Sequence, residues 1–471
     1  MDLLRKRWPL LLIAIVLLVG LRPTPVAQPL VAPLQSAASA LAQDDLSGAL
    51  ESLRDALAFD PTLATLEVRA AEVAMAAGDP ESALEHLAAA AQYLPGESHI
   101  ACLRGEALHM LGDTLGAVYA WEEAAEPCPQ PEAALDRRAA VLSEMGEIAS
   151  AQDALEEFIS QNPGSSEAHL QLGLLLATQS PEDALVHLQL SQEFASGGHA
   201  LAQSLFQAIE ESRTPETPAL QLAAVGQVLI KYQEWQLAEF AFRNAIALEP
   251  GYAEARAYLG FALGKQGKDG LEELQTAIAD APEAALSYAL LGMHLLDQGQ
   301  AQEAIQELQT AMILDPENPA FAAQMGAAQT SAGDMIAAED AYRLATELAP
   351  QTGDFWLLLA RFSLDNGIEV QELGLPAARN AVVLLPDDPA AIDALAHAHL
   401  VLTNLPLAER LLWRSLSLND MRAATQYHLG LLRLMQGDEA RAAAALELAA
   451  LLEPEGPIGL LAKQTLENLD F

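Results

Sequence analysis

The sequence predicts an all-α protein, a right-handed α-solenoid or superhelix of stacked helix–turn–helix units. Three observations carry that reading. One phrase recurs: "GQAQEAIQELQTAMILDP" at 299–316 is followed 34 residues later by "GDMIAAEDAYRLATELAP" at 333–350, and "GDEARAAAALELAALLEP" stands at 437–454. The prolines that close it (Pro61, Pro95, Pro129 and Pro163, then after a gap of 87 residues Pro250, Pro282, Pro316, Pro350, Pro386 and Pro454) are mostly 34 apart, with steps of 32 and 36 and one double step. Periodicity of that length signals stacked supersecondary units. The composition agrees: 51% of the 471 residues are apolar but only 5% aromatic. Alanine and leucine supply most of the rest, and both are strong helix formers.

The chain opens on Arg5, Lys6 and Arg7, followed by an apolar run from Pro9 to Leu21, then Arg22 and the helix-breaking prolines Pro23, Pro25 and Pro29. The run is shorter than the roughly 20 residues that span a bilayer, and it matches the core of a secretory signal. Residues 1–29 are thus expected to be a signal peptide or an uncleaved signal anchor with a Pro-rich flank. Ala40-Leu41-Ala42 has a small-x-small cleavage pattern, but a cut there falls inside the first unit; a cut after Ala27 is nearer the run. Uncleaved, the segment is a transmembrane helix with the body outside. No cysteine precedes Cys102, which excludes a lipid anchor of the lipobox type.

Each later unit is justified by its columns. A small residue stands at Ala37, Ala71, Gly105, Ala139, Gly173, Gly226, Gly260, Gly292, Gly326, Ala360, Ala396 and Gly430. Two further small columns lie twelve and five residues before each proline slot, as at Ala304 and Ala311 or Ala338 and Ala345, with Phe158 and Ser415 as exceptions in the second. Antiparallel helices approach closely only where small side chains meet. Larger residues (Tyr119, Trp121, Phe242, Leu274, Leu308, Tyr342, Leu412, Leu446) are expected to fill the gaps between helices. Turns such as "AGDP" (77–80), "LGDT" (111–114) and "AGDM" (332–335) use Gly as a helix stop and the next polar residue as a cap. The closing proline comes after the second helix because it cannot extend the hydrogen-bond ladder.

This pattern resembles the tetratricopeptide repeat, a 34-residue helix–turn–helix with small residues at these columns and a proline near its end. Twelve units are legible: 30–63, 64–97, 98–131, 132–165, 166–198, 219–252, 253–284, 285–318, 319–352, 353–388, 389–422 and 423–456. The first, with its first helix near Pro33–Gln43, and the fifth, which lacks the proline, depart most. They form an N-terminal array (30–198) and a C-terminal array (219–456). Between them, 199–218 reads as one extra helix, about His199–Ser212, and a linker with Pro215 and Pro218; it is either a hinge or an eroded repeat. Residues 457–471 are expected to form a capping helix, since an open solenoid end exposes its apolar face.

Charge and motifs bound the function. The net charge is −41, and residues 43–471 hold 20 basic against 64 acidic residues. Such a body repels phosphate backbones, so no nucleic acid is expected as a partner. Cys102 and Cys128 are the only cysteines, with no CxxC pair; they form either one bridge or two separate buried thiols. There is no G-x-x-x-x-G-K-S/T loop, no H-E-x-x-H and no G-x-S-x-G. His397 and His399 point about 200° apart on a helix, which does not make a metal pair. No cofactor, metal or catalytic residue is expected, and the protein reads as no enzyme.

What remains is a surface. The resemblance implies that first helices line a concave groove that holds a peptide. On the last three units that groove places Leu357, Arg361 and Leu364, then His397 and Leu400, then Tyr427, Leu431, Leu434 and Met435. The apolar ones among them serve equally well as packing between neighbouring units. Lys231 and Lys265 are the only lysines near the groove of the middle units, so an apolar or amphipathic segment is expected rather than an acidic tail. The resulting expectation is an exported, non-catalytic scaffold of the cell envelope that binds other proteins. It touches the membrane only through an uncleaved N-terminal segment. The alternative is a substrate-recruiting or regulatory subunit of a separately encoded enzyme complex.

Overall fold

Alanine- and leucine-rich stretches with apolar residues at helical spacing become helices almost throughout. The computed structural model describes residues 28–43, 45–60, 62–122, 142, 147–195, 199–213, 218–419 and 421–469. Among them are twenty-five α-helices and no strand. In the first half these are α1 (Gln28–Ala42), α2 (Leu46–Phe59), α3 (Ala64–Ala76), α4 (Pro80–Tyr93), α5 (Ser98–Met110), α6 (Thr114–Glu122), α7 (Ile148–Gln161), α8 (Ser166–Ala177), α9 (Pro181–Phe194), α10 (Ala200–Glu211), α11 (Pro218–Lys231) and α12 (Trp235–Leu248). There follow α13 (Ala253–Lys265), α14 (Leu271–Asp280), α15 (Ala285–Asp297), α16 (Ala301–Leu314), α17 (Pro319–Ala332), α18 (Met335–Leu348), α19 (Gly353–Asp365), α20 (Leu375–Leu384), α21 (Pro389–Val401), α22 (Leu405–Leu418), α23 (Ala423–Met435), α24 (Glu439–Leu452) and α25 (Pro457–Glu467).

Two compact units result, Met1–Ala241 and Phe242–Phe471, divided within α12 and beyond the stretch 199–218. Within each, consecutive helices pair, as α8 with α9 or α17 with α18. The second helix of a pair leans on the first helix of the next, and first helices also touch their successors, as α13 on α15 and α21 on α23. Each unit is therefore a stack of helix pairs in which first helices share one face.

The small columns work as close-approach points. A Cβ built on Gly326 would lie 2.8 Å from the Tyr342 ring, and one on Gly292 the same distance from Leu308. On Gly105 it would meet Trp121 at 2.2 Å. The facing large residues are buried: Leu274, Leu308, Leu412 and Leu446 are fully enclosed, and Trp121 nearly so. Tyr119 differs from the expectation and is 64% exposed. Two residues from Trp121 is about 200° around a helix, so only one of the pair faces inward.

Turns behave as their residues dictate. Gly78, Gly112, Gly299, Gly333 and Gly437 all take positive φ, a region costly for side chains with a Cβ. Asp79, Asp113, Asp334 and Asp438 each accept a bond from the backbone N–H three residues on, capping the next helix. Four units also cap the carbonyl of the closing proline with the residue six positions later. His169 reaches Pro163 at 3.1 Å, Arg256 reaches Pro250 at 3.1 Å, Tyr288 reaches Pro282 at 3.2 Å and Trp356 reaches Pro350 at 2.9 Å.

Other boundaries differ from the sequence reading. The first helix starts earlier than the expected Pro33: α1 begins at Gln28 and carries Pro33 inside. Pro29 falls in the first turn, whose N–H groups lack intrahelical partners, and Pro33 removes one bond from a helix anchored by buried Leu30 and Ala37. The 36-residue unit absorbs its two extra residues in a π-helical turn, Val370–Gly374, entered through Glu369 at φ 42°. α25 covers the end of the last pair, packing Ala462, Leu466 and Leu469 around Leu446 and Ala449. No helix among the described residues is long and apolar enough to cross a membrane. The N-terminal run Pro9–Leu21, the flanking residues to 27, and Cys128 lie outside the described residues. Cys102 is 1% exposed and disulfide-bonded.

Candidate functional site

The first helices of the last three pairs, α19, α21 and α23, touch in order along one face. Their register puts residues into columns spaced by 36 and then 34 positions: Leu357, Asp393 and Tyr427; Arg361, His397 and Leu431; Leu364, Leu400 and Leu434; Asp365, Val401 and Met435. Leu364 is 5% exposed and Leu400 3%, and both belong to the cores between pairs. Leu357 and Leu431 pack at the margins of those cores. Tyr427 and Leu434 lean on Leu446, Ala449 and Ala462, beneath α25. Arg361, Val401 and Met435 are exposed, the last two at 45% and 48%.

A polar cluster lies among these apolar positions. Asp393 and His428 are both buried, and the His428 Nδ1–H donates to Asp393 Oδ1 at 3.0 Å, tying α23 to α21. His397 stacks on His428 with ring centroids 4.2 Å apart, and its Nδ1 lies 3.9 Å from Asp365 Oδ1 on α19. Burial, helped by the neighbouring His428, pushes the His397 imidazole down to about 3, so it is neutral at physiological pH. Burial works to raise the Asp393 carboxyl, but His428, Arg422 and His397 outweigh it and hold the group below the usual carboxylate range. The face is thus an apolar margin around an ionised aspartate bonded to His428, with the neutral His397 ring stacked on that histidine. His399, two residues on, is buried on another side of α21 near Arg379, as helical geometry requires. Among the described residues no group of three or more His, Cys, Asp or Glu is placed to hold a metal ion.

Helix pairs with these small columns and this turn chemistry have a known sequence signature. Sequence models described as tetratricopeptide repeat match residues 295–362, and 68–133, 137–186 and 261–319. These segments are tetratricopeptide repeats. Among solved structures, the chain is similar to that described as the APC/C hetero-tetramer Cut9-Hcn1, at 15% identity over 95% of this chain and 97% of that one, with a TM-score of 0.42. It is similar to yeast Tom70 at 16% identity, over 93% of this chain and 95% of that one, with a TM-score of 0.42. A tetratricopeptide repeat protein from Parabacteroides merdae matches at 17% identity over 55% of this chain and 98% of that one, with a TM-score of 0.41. No curated protein matches the chain.

The repeat register itself would have found Asp365, Asp393 and Val401, which the sequence reading passed over. Asp393 occupies the column of Leu357 and Tyr427, where "AIDALAHAHL" sets a lone carboxylate in an apolar helix. Val401 occupies the column of Met435. His428, next to Tyr427, carries no such signal, because its role depends on a partner 35 residues away. Among the described residues the most exposed large apolar side chains are elsewhere: Ile336, Ile313, Val383 and Leu451, at 73–80%, each on a different second helix. Exposed apolar residues standing singly are ordinary on soluble surfaces.

Proposed function

We propose that this protein is a non-catalytic scaffold that docks a segment of another protein against the first-helix face of its last three repeats. The observation that carries the reading is the composition of that face. Exposed Met435, Val401 and Arg361 and half-buried Tyr427, Leu431 and Leu434 border a cluster whose buried members are already hydrogen-bonded to one another. Methionine, tyrosine and arginine are residue types that anchor interfaces. A face whose polar groups are satisfied internally favours an apolar or amphipathic segment over a charged tail.

The scaffold works outside the cytoplasm, exported by the segment 1–29 and either anchored by it or released after cleavage. The basic flank followed by a short apolar run supports this. So does the disulfide at Cys102, since such bonds persist mainly in oxidising compartments. The experiment uses full-length tagged protein expressed in its own host, with Tyr427→Ala, Leu431→Ala and Met435→Asp beside the wild type. Loss of a partner with an unchanged melting temperature is the expected result for Met435→Asp. A fall in melting temperature that matches the loss of binding assigns the residue to packing, and unchanged binding with unchanged stability refutes the face. Residues 1–45 fused to a reporter active only outside the cytoplasm test export, and a silent fusion refutes it.

A further inference from the structure

Three of the ten histidines gather in the fifth repeat and at the helix stacked on it, and the hydrogens between them have one consistent assignment. His169, 3% exposed on α8, has its Nε2 3.1 Å from the carbonyl of Pro163, so Nε2 carries a hydrogen and donates. Its Nδ1 lies 2.9 Å from Nδ1 of His187 on α9. In a neutral His169 that nitrogen is the acceptor, and His187 is the donor. The rings lie 5.2 Å apart, with Phe194 5.8 Å from His169 on the other side. Nearby, Ser166 Oγ donates to Ser191 O at 2.7 Å and therefore accepts from His199 Nε2–H at 3.0 Å. His199 is the residue that opens α10, and α10 packs on α9.

We propose that the fifth repeat is a proton-sensitive joint, whose two helices are tied by a His169–His187 hydrogen bond that holds while at most one of the two rings is charged and fails when both are. A single added proton still leaves one hydrogen between the two Nδ1 atoms, but a second gives each ring its own Nδ1–H and sets two N–H groups and two charges against each other at 2.9 Å. His199 responds differently, because it donates through Nε2 whether neutral or charged. The stacked pair His397 and His428 also differs, since its contact is ring on ring and needs no acceptor nitrogen.

The carboxylates around the pair do not offset the effect. On its own helix Glu167 accepts from Gln171 at 3.1 Å. On α9, Glu182 pairs with Arg213 at 2.7 Å, while Asp183 and Glu193 make no bond to either ring. On α10, Glu210 pairs with Arg213 and Glu211 accepts from Gln207. On α7 the acids are Asp153, Glu156 and Glu157, and they too make no bond to either imidazole. Beyond burial, the influence on His187 comes from His169 alone, and both lower its proton affinity. Loosening of the pair passes from α8 and α9 to α10 through the Ser166, Ser191 and His199 contacts. The joint is independent of the docking face, which lies on other repeats.

The test is amide hydrogen exchange of the full chain followed by peptide mass analysis at pH 7.5 and 5.5, corrected for intrinsic rates. Below about pH 6.5, the ordinary imidazole value that both rings regain when the joint opens, protection in 166–194 and 200–211 is expected to fall about tenfold relative to helices 301–348, because the open form takes up a proton that the closed pair refuses. His169→Gln and His187→Gln are each expected to abolish that fall, because a glutamine amide can turn to present donor or acceptor and does not titrate. Two substitutions guard against failure of one to fold. Equal protection at both pH values in the wild type overturns the proposal. So does a pH response that persists in both glutamine variants.

Discussion

At Gly326 the repeat is fixed by what is missing from one residue. A Cβ there would press on three carbons of the Tyr342 ring at 2.8–2.9 Å. Gly326→Leu is expected to cost about 1–3 kcal/mol, the usual range for overpacking, read as a lower denaturant midpoint. An unchanged midpoint would show that α17 and α18 do not meet there. Histidines give the second expectation. His397 titrates near 3 in the folded chain, because burial disfavours its charged form, against an ordinary 6.5. Between those values the unfolded chain binds a proton that the folded chain refuses. Stability present above pH 6.5 is therefore lost as the pH falls through this window. His294 and His399, both shifted down first by burial, act in the same sense. His99 acts oppositely: its hydrogen bond to Glu72 raises it, so its contribution is full below 6.5 and lost as pH rises through the folded value. The melting temperature at pH 5 is expected below that at pH 7.5, and His397→Gln should narrow the gap. A gap as wide in the variant contradicts the burial account.

Most of the element scale was legible in the sequence, for a physical reason. A helix pair in a stack meets the same neighbours in every unit, so the same columns recur and each turn repeats its glycine and cap. Where the period slipped, legibility ended. "IEVQELG" gave two extra residues but no hint that they would be taken up as a π-turn inside α20's approach rather than as a loop. α1 starts at Gln28 rather than at the expected Pro33, because a proline in a first turn costs no hydrogen bond and Pro33 inside the helix costs only one. At the candidate site, the apolar columns were readable one residue at a time. The Asp393–His428 bond joins adjacent repeats, and its existence depends on how they stack. Glu369 supplies the test at this scale. It holds φ 42° with a side chain, a conformation that glycine adopts without strain. Glu369→Gly is expected to stabilise by up to about 1 kcal/mol, since the 3.8 Å approach of Arg343 that it gives up is solvent-exposed and worth little. A lower melting temperature in the variant would show that the π-turn relies on that side chain.

For the molecule as a whole, the sequence and the fold converge on binding. In each compact unit the stacked pairs present a face of first helices. The acid excess gives the chain a net charge of −41, of the same sign as phosphate backbones and anionic lipids. The central claim is that α19, α21 and α23 together form the docking face. Site-specific photo-crosslinking in the native host tests it most directly. A photoreactive residue would replace Arg361 or Met435 on that face, or Val383 or Ile336 on second helices, in the full-length protein. Crosslinks to the same discrete protein from positions 361 and 435, with none from 383 or 336, are the predicted result. Crosslinks to that protein from 383 or 336 and none from 361 or 435 would contradict the account.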